Sequence, residues 1–131
     1  MRYGSAAADG CGPNPSGPLG IGTQTPGTTA AGLPVLGGTH QLLMRFGPSG
    51  GLGAFVLGFT NGAPYPVPIP GAPGCFQRID NIGVLITFFQ PTGFSDPVPF
   101  SLTNDPIYCG IRYYVQGAAF WPGANPLGVI T

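Results

Sequence analysis

The chain contains no lysine and no glutamate, and charged residues of all kinds make up 6% of its 131 residues. Four arginines and four aspartates balance to a formal net charge of zero (Arg2, Arg45, Arg78, Arg112, Asp9, Asp80, Asp96, Asp105). The lack of net positive charge argues against nucleic acid and anionic membranes as partners. A cytosolic monomer normally stays soluble through a mixed, charged surface. The composition of this chain is therefore more typical of a subunit of an assembly or of an extracellular protein.

Several other features are missing. No run of about 18 apolar residues is present, so we predict no membrane-spanning helix and no membrane insertion. The N-terminal MRYGSAAADG lacks the apolar core of a signal peptide, and we expect any secretion signal to have been removed or to lie upstream. His40 is the only histidine and no Cys-x-x-C pair occurs, so the sequence predicts no metal site and no cofactor.

Glycine and proline are abundant, at 24 and 17 residues, a content that often marks disorder. Hydrophobic residues nevertheless reach 43%, and so much apolar surface can offset the entropy lost on folding. Short alternating apolar segments bounded by glycine and proline predict an all-β fold of about seven or eight strands with almost no helix. We expect an antiparallel β-sandwich of jelly-roll or immunoglobulin-like type over residues 37–131, preceded by a Gly/Pro/Thr-rich N-terminal arm over residues 1–36.

Three predicted strands matter below. Residues 39–46 and 54–60 each place three apolar side chains on one face (Leu42, Met44 and Phe46; Phe55, Leu57 and Phe59). The glycine-rich segment between them predicts a hairpin loop. Residues 84–89 read VLITFF and are apolar on both faces, which indicates a central strand covered on both sides.

Prolines occupy every second position from residue 64 to residue 70 (Pro64, Pro66, Pro68 and Pro70). Alternate residues of a strand direct their backbone groups to the same side, so these prolines remove every N–H donor from one side. The segment therefore predicts an edge strand that pairs with one neighbour only. The alternative is an extended, polyproline-like connector on the surface, and in both interpretations the prolines block pairing at this edge.

Residues 47–51 read GPSGG and match the G-x-S-x-G motif, with Ser49 at the position of the nucleophile. That motif requires a strand, a sharp turn and a helix, whereas the predicted loop joins two strands. We therefore predict no catalytic residue and no enzymatic activity.

Four aromatic residues late in the chain are candidates for a binding surface (Tyr113, Tyr114, Phe120 and Trp121). Neighbouring residues of a strand point to opposite faces, so these side chains cannot all face one core. They predict a platform for sugar rings or a subunit interface, in which aromatic anchors are enriched. The alternative is a core that is covered on both faces of the sheet.

Cys11, Cys75 and Cys109 allow one disulfide bridge and leave one thiol. We expect Cys109 to be free and buried as a small hydrophobic residue.

Three segments resemble a group of uncharacterised secreted β-domains from environmental bacteria: YGSAAADGCGPNPSG at the start, APGC at 72–75 and NDPIYCGIRYYVQGAAFWPGANPLGVIT at the end. The matching positions near the end are Asn104, Asp105, Pro106, Gly110, Tyr114, Gln116, Asn125, Pro126, Leu127 and Gly128. The resemblance implies a Cys11–Cys75 bridge and an extracellular setting, and it implies no activity. The family usually has an apolar residue in place of Cys109 and a further short strand after the position of Thr131. More weakly, the composition is similar to that of extracellular bacterial fibril subunits.

These features predict a structural subunit of an extracellular, self-assembling fibre, with copies of itself as partners in a helical or linear polymer. The N-terminal arm is the candidate for exchange between subunits by donor-strand complementation; the alternative is that the arm packs on its own domain, tethered by Cys11. The alternative function is a secreted carbohydrate-binding or adhesive module with glycans as ligands.

Overall fold

A computed structural model of the protein describes Cys11, residues 19–27 and residues 35–131. The strands in these residues are β1 Gly20–Gln24, β2 Thr39–Arg45, β3 Leu52–Gly58, β4 Val67–Pro68, β5 Phe76–Gln77, β6 Gly83–Phe88, β7 Val98–Ser101, β8 Tyr114–Phe120 and β9 Val129–Ile130. The described helical residues are the three of a 3-10 turn, Pro106–Tyr108, and all paired strands are antiparallel. The all-β prediction is therefore confirmed, while the β-sandwich of jelly-roll or immunoglobulin-like type stays a prediction.

Two larger sheets share one hydrophobic core. Their strand orders are β1-β2-β7 and β6-β3-β8-β9, and β4 and β5 form a separate two-stranded sheet. Leu42 and Met44 of β2 join Phe55 of β3 and Ile130 of β9 in the buried cluster. A Cβ atom built on Gly117 of β8 would lie 3.1 Å from the Met44 sulfur, so the two sheets come into contact there.

The predicted faces of β2 and β3 are correct over the strands but not beyond their ends. Phe46 follows the last residue of β2, has a positive φ of 63° and is exposed. Phe59 follows the last residue of β3 and is also exposed. In both places the chain leaves the sheet, so the alternation no longer directs the side chain inward.

The predicted hairpin between β2 and β3 is wrong, because the two strands belong to different sheets. The connection instead ends in a bulge, where the Gly50 N–H donates to the Phe89 carbonyl at 3.0 Å and the Phe89 N–H donates to the Gly51 carbonyl at 2.8 Å. Gly50 has a φ of 68°, which a glycine adopts without strain. Ser49 is an exposed residue of this crossing loop.

The predicted arm contributes a strand to the domain. Gly20–Gln24 pairs along β2 of the same chain, with Gly20 opposite Arg45 and Gln24 opposite Gln41. This pairing agrees with the alternative in which the arm packs on its own domain. Residues 1–10, 12–18 and 28–34 of the predicted arm lie outside the described residues.

The cysteines pair as the resemblance implied. Cys11 and Cys75 form a disulfide with their Cα atoms 5.0 Å apart, and both residues are buried. The prediction of a buried Cys109 is wrong, because its thiol is free but exposed. Asp105 caps the short 3-10 turn by accepting a hydrogen bond from the Ile107 N–H, and residues 103–112 around that turn are all exposed, so nothing in this segment covers Cys109.

His40 is a buried residue that links the two sheets. Its Nε2 atom lies 2.8 Å from the hydroxyl of Tyr113, in a hydrogen bond between β2 and the segment before β8. The Phe100 ring packs edge-on against the imidazole, with centroids 5.2 Å apart. Burial lowers the pKa of His40 from its ordinary value of 6.5, because the charged imidazolium loses its hydration there.

We expect His40 to make the protein less stable in mild acid. Below about pH 6.5 the unfolded chain binds the imidazole proton more readily than the folded protein does. The contribution of the neutral His40 to the free energy of unfolding is therefore complete above pH 6.5 and is lost as the pH falls through the lowered folded-state pKa. The free energy of unfolding changes with a slope of at most about 1.4 kcal/mol per pH unit. Denaturant unfolding between pH 7.5 and 5 should show this slope in the wild type and a flatter one in His40→Gln, whose amide can still reach Tyr113. Identical slopes in the two proteins would contradict the prediction.

Candidate assembly surface

The prediction that residues 84–89 form a covered central strand is wrong, because β6 is an edge strand of the four-stranded sheet. Leu85 and Thr87 point towards the core, while Val84, Ile86 and Phe88 point to solvent. Both faces of the strand are apolar, as the sequence shows, but only one of them is covered by the described chain.

The register extends this exposed face across the sheet. Phe88 of β6 lies opposite Leu52 of β3, and Val84 opposite Val56. Directly paired residues of neighbouring strands share a face, and β8 continues the face with Ala118 and Phe120. We define the apolar outer face by its five most exposed members: Phe88 (60%), Ile86 (55%), Phe120 (48%), Val84 (46%) and Leu52 (39%).

The apolar outer face is comparable in size to the largest apolar patches that monomers expose. Five large side chains at about half exposure present on the order of 500 Å² of apolar surface, near the upper end of what monomers expose in one patch. No arginine or aspartate occurs in β3, β6 or β8. Such a patch is typical of a surface that meets another molecule.

The polar end of the same face is occupied. The Gln116 side chain donates to the Phe76 carbonyl at 2.7 Å and accepts from the Arg78 N–H at 2.8 Å. These two hydrogen bonds attach the segment around β5 to β8. The open part of the face is therefore the part nearest β6.

The opposite edge of the sheet, at β9, is closed within the chain. Val129 exchanges two hydrogen bonds with the side chain of Asn125, which donates to its carbonyl at 2.6 Å and accepts from its N–H at 3.1 Å. The Cys11 N–H donates to the Thr131 carbonyl at 3.3 Å, and the Thr131 N–H donates to the Cys11 sulfur at 3.3 Å. The side chain of Asn125 and the backbone and sulfur of Cys11 thus take the place of a neighbouring strand at this edge.

The β7 edge of the three-stranded sheet is blunted by proline. The Leu102 N–H donates to the Gly38 carbonyl at 3.1 Å. The backbone N–H and C=O groups of residues 98, 100 and 102 are therefore directed towards β2. Pro99 therefore faces outward, where its missing N–H removes a donor from the free edge.

The β6 edge has neither a side-chain cap like that of β9 nor an outward proline like that of β7. Phe89, which directly follows β6, bonds to Gly51, which directly precedes β3. The odd-numbered residues of β6 therefore direct their backbone groups to β3 and the even-numbered ones outward. The Phe88 carbonyl accepts from the Asp96 N–H at 2.8 Å, which closes one end of the edge. In the part of the chain that the structure describes, no hydrogen-bond partner meets the outward N–H and C=O groups of Val84 and Ile86.

The alternating prolines lie elsewhere. Only Val67–Pro68 of this segment forms a strand, paired on one side with Phe76–Gln77. The rest is an irregular connector, and all four prolines of the segment are exposed. Ile69 packs against the core and its N–H donates to the Cys75 carbonyl at 3.0 Å. The segment thus combines parts of both interpretations, and the blocking of an edge by Pro64, Pro66, Pro68 and Pro70 stays a prediction.

The four candidate aromatic residues do not lie on one surface. Phe120 belongs to the apolar outer face and Tyr114 is half-buried at the start of β8. Tyr113 bonds to His40, and Trp121 packs against the core. The outward members extend the candidate interface, whereas a flat platform of all four rings is not formed.

Other kinds of site have no support in the described residues. No group of three or more His, Cys, Asp or Glu side chains there is arranged to hold a metal ion. None of the described helical segments is long and apolar enough to cross a membrane. Comparison with models of known families, with curated proteins and with solved structures gives no match to this chain.

Proposed function

We propose that the protein is a structural subunit of an extracellular, self-assembling fibre and that the apolar outer face is the main contact between subunits. The observation that carries the proposal is the uncovered apolar side of β6, in a sheet whose other edge is closed by Asn125 and Cys11. A chain with four arginines, four aspartates and no lysine has little charge to keep such a face in solution.

The extracellular setting is supported by the disulfide between Cys11 and Cys75, since disulfides persist mainly in oxidising compartments. It also agrees with the resemblance to secreted β-domains. A carbohydrate-binding or adhesive module has less support, because Tyr113 and Trp121 pack inward and leave no shared aromatic platform.

A charge on the apolar outer face should weaken assembly. We expect Ile86→Lys to raise the concentration at which the protein assembles by at least about tenfold, because the ammonium group would have to lose its hydration in an apolar contact. Sedimentation velocity over a concentration series measures this shift. The matched control is Ile107→Lys, which makes the same change at a residue that is 71% exposed on the 3-10 turn.

Equal assembly of Ile86→Lys, Ile107→Lys and wild type would contradict the proposal. A wild-type protein that stays monomeric and whose Trp121 fluorescence shifts with added glycans would support the carbohydrate-binding alternative instead.

A further inference from the structure

We propose that the open edge of β6 pairs with β6 of a second copy, antiparallel and about a two-fold axis that passes near Leu85. This inference rests on the proposed function, since it names the joint between two subunits. The result is one continuous eight-stranded sheet built from two four-stranded sheets.

The backbone geometry of β6 carries the first step. The outward N–H and C=O groups of Val84 and Ile86 have no partner in the described chain. A strand edge with unpaired groups is a template for another strand. β6 contains no proline and no charged residue from Gly83 to Phe88, and these are two of the features by which natural edge strands prevent such pairing.

The two outward residues are spaced for self-pairing. In an antiparallel arrangement centred on Leu85, Val84 lies opposite Ile86 of the second copy, and Ile86 opposite its Val84. Residues two apart direct their backbone groups to the same side, so each of these two pairs exchanges two hydrogen bonds. The Phe88 carbonyl, which is already bonded to Asp96, lies outside the paired segment, which consists of residues 84–86 of each copy.

The apolar area favours the same arrangement. One apolar outer face offers on the order of 500 Å², less than the roughly 800 Å² per partner of a stable interface. Joining two copies at β6 places Val84, Ile86 and Phe88 of both on one surface, which then offers on the order of 1,000 Å². The edge pairing therefore produces a face large enough to hold further subunits, and β3, β6 and β8 themselves contain no charged residue.

The register predicts which cysteines can be cross-linked. In a Cys109→Ser background, Val84→Cys and Ile86→Cys are made as separate full-length proteins of distinguishable mass, checked for assembly by sedimentation, mixed and gently oxidised. The Cα atoms of directly opposed residues lie about 5.5 Å apart, which suits a disulfide. Those of the diagonal 84–84 and 86–86 pairs lie about 7–8 Å apart, which is too far. We expect the mixed 84–86 dimer to exceed both self-linked dimers at least about tenfold, as measured by mass spectrometry under non-reducing conditions.

The other outcomes overturn the inference in recognisable ways. Excess 84–84 and 86–86 dimers indicate a parallel pairing of the two β6 strands. If a Phe120→Cys protein forms a disulfide with Val84→Cys as efficiently as Ile86→Cys does, the outer faces of the two copies stack on each other instead. Assembly without any 84–86 link places the joint elsewhere and leaves the proposed function standing; if deletion of residues 1–10 also abolishes that assembly, the N-terminal arm is the joint. If the Cys109→Ser protein shows no association at all, the proposed function fails with the inference.

A proline provides an independent test of the edge. Ile86→Pro removes an outward N–H without touching the hydrogen bonds to β3, as Pro99 does in β7. Its control is Ile86→Thr, which makes a comparable loss of apolar surface but keeps the N–H. We expect Ile86→Pro to sediment as a monomer under conditions in which Ile86→Thr still dimerises. Equal sedimentation of the two folded variants contradicts the edge pairing, and if Ile86→Pro does not fold, the cross-linking result decides.

Discussion

Gly47→Ala is expected to destabilise the protein by about 3 kcal/mol or more, at the upper end of what overpacking a core costs. A Cβ atom at this position would overlap the ring of Phe89, which is 3% exposed. The ring has little room to move away, because its opposite edge packs closely against Gly53, where a built Cβ atom would lie 2.8 Å from it. The Phe89 backbone is also fixed by its hydrogen bonds to Gly50 and Gly51.

Denaturant unfolding measures the effect, with Gly62→Ala as the control. A Cβ at Gly62 would meet its nearest atom, the Thr60 hydroxyl, at 3.7 Å, so this variant should stay close to wild type. Adding Phe89→Leu to Gly47→Ala should cost less than Phe89→Leu costs alone, since the smaller side chain relieves the overlap. Strictly additive free energies would show that the ring does not oppose the new methyl group.

Loss of the Cys11–Cys75 disulfide is expected to destabilise the protein by about 4 kcal/mol. The bridge spans a sequence separation of 64 residues, and the chain-entropy model gives this magnitude for a loop of that size. Cys11 also bonds to Thr131 at the β9 edge, so freeing it would open that edge as well.

The measurement compares Cys109→Ser with the Cys11→Ser/Cys75→Ser/Cys109→Ser triple variant by denaturant unfolding. Cys109→Ser should itself match wild type, because the Cys109 thiol is exposed. Equal midpoints for the bridged and unbridged proteins would show that the disulfide contributes nothing to stability.

The parts of the fold that alternate in sequence were predictable. Leu42 and Met44, or Phe55 and Leu57, recur at the period of a strand with one covered face, and the structure buries all four. The two-sided apolar pattern of β6 was visible too, but the pattern is the same whether the second face meets a layer of the same chain or another molecule. The periodicity of a sequence shows that a face of a strand is apolar, but it does not show what covers that face.

Features that depend on distant contacts were not predictable. A glycine-rich loop after β2 fits a hairpin, and only the packing of Phe89 against Gly47 and Gly53 shows that the chain crosses to the other sheet there. The closure of β9 by Asn125 depends on a single side chain four residues away from Val129. Asn125 stands in a turn-like Asn-Pro segment, which signals a turn and carries no sign of the strand edge that it caps.

Negative-stain electron microscopy of the purified wild-type protein, with its disulfide intact, tests the central claim most directly. The protein should form extended fibres of uniform width without any added ligand, and Ile86→Lys at the same concentration should show only small particles. A field of dispersed, monomer-sized particles from wild-type protein, at concentrations well above those used for the variant, would contradict the claim that this chain is the subunit of a fibre.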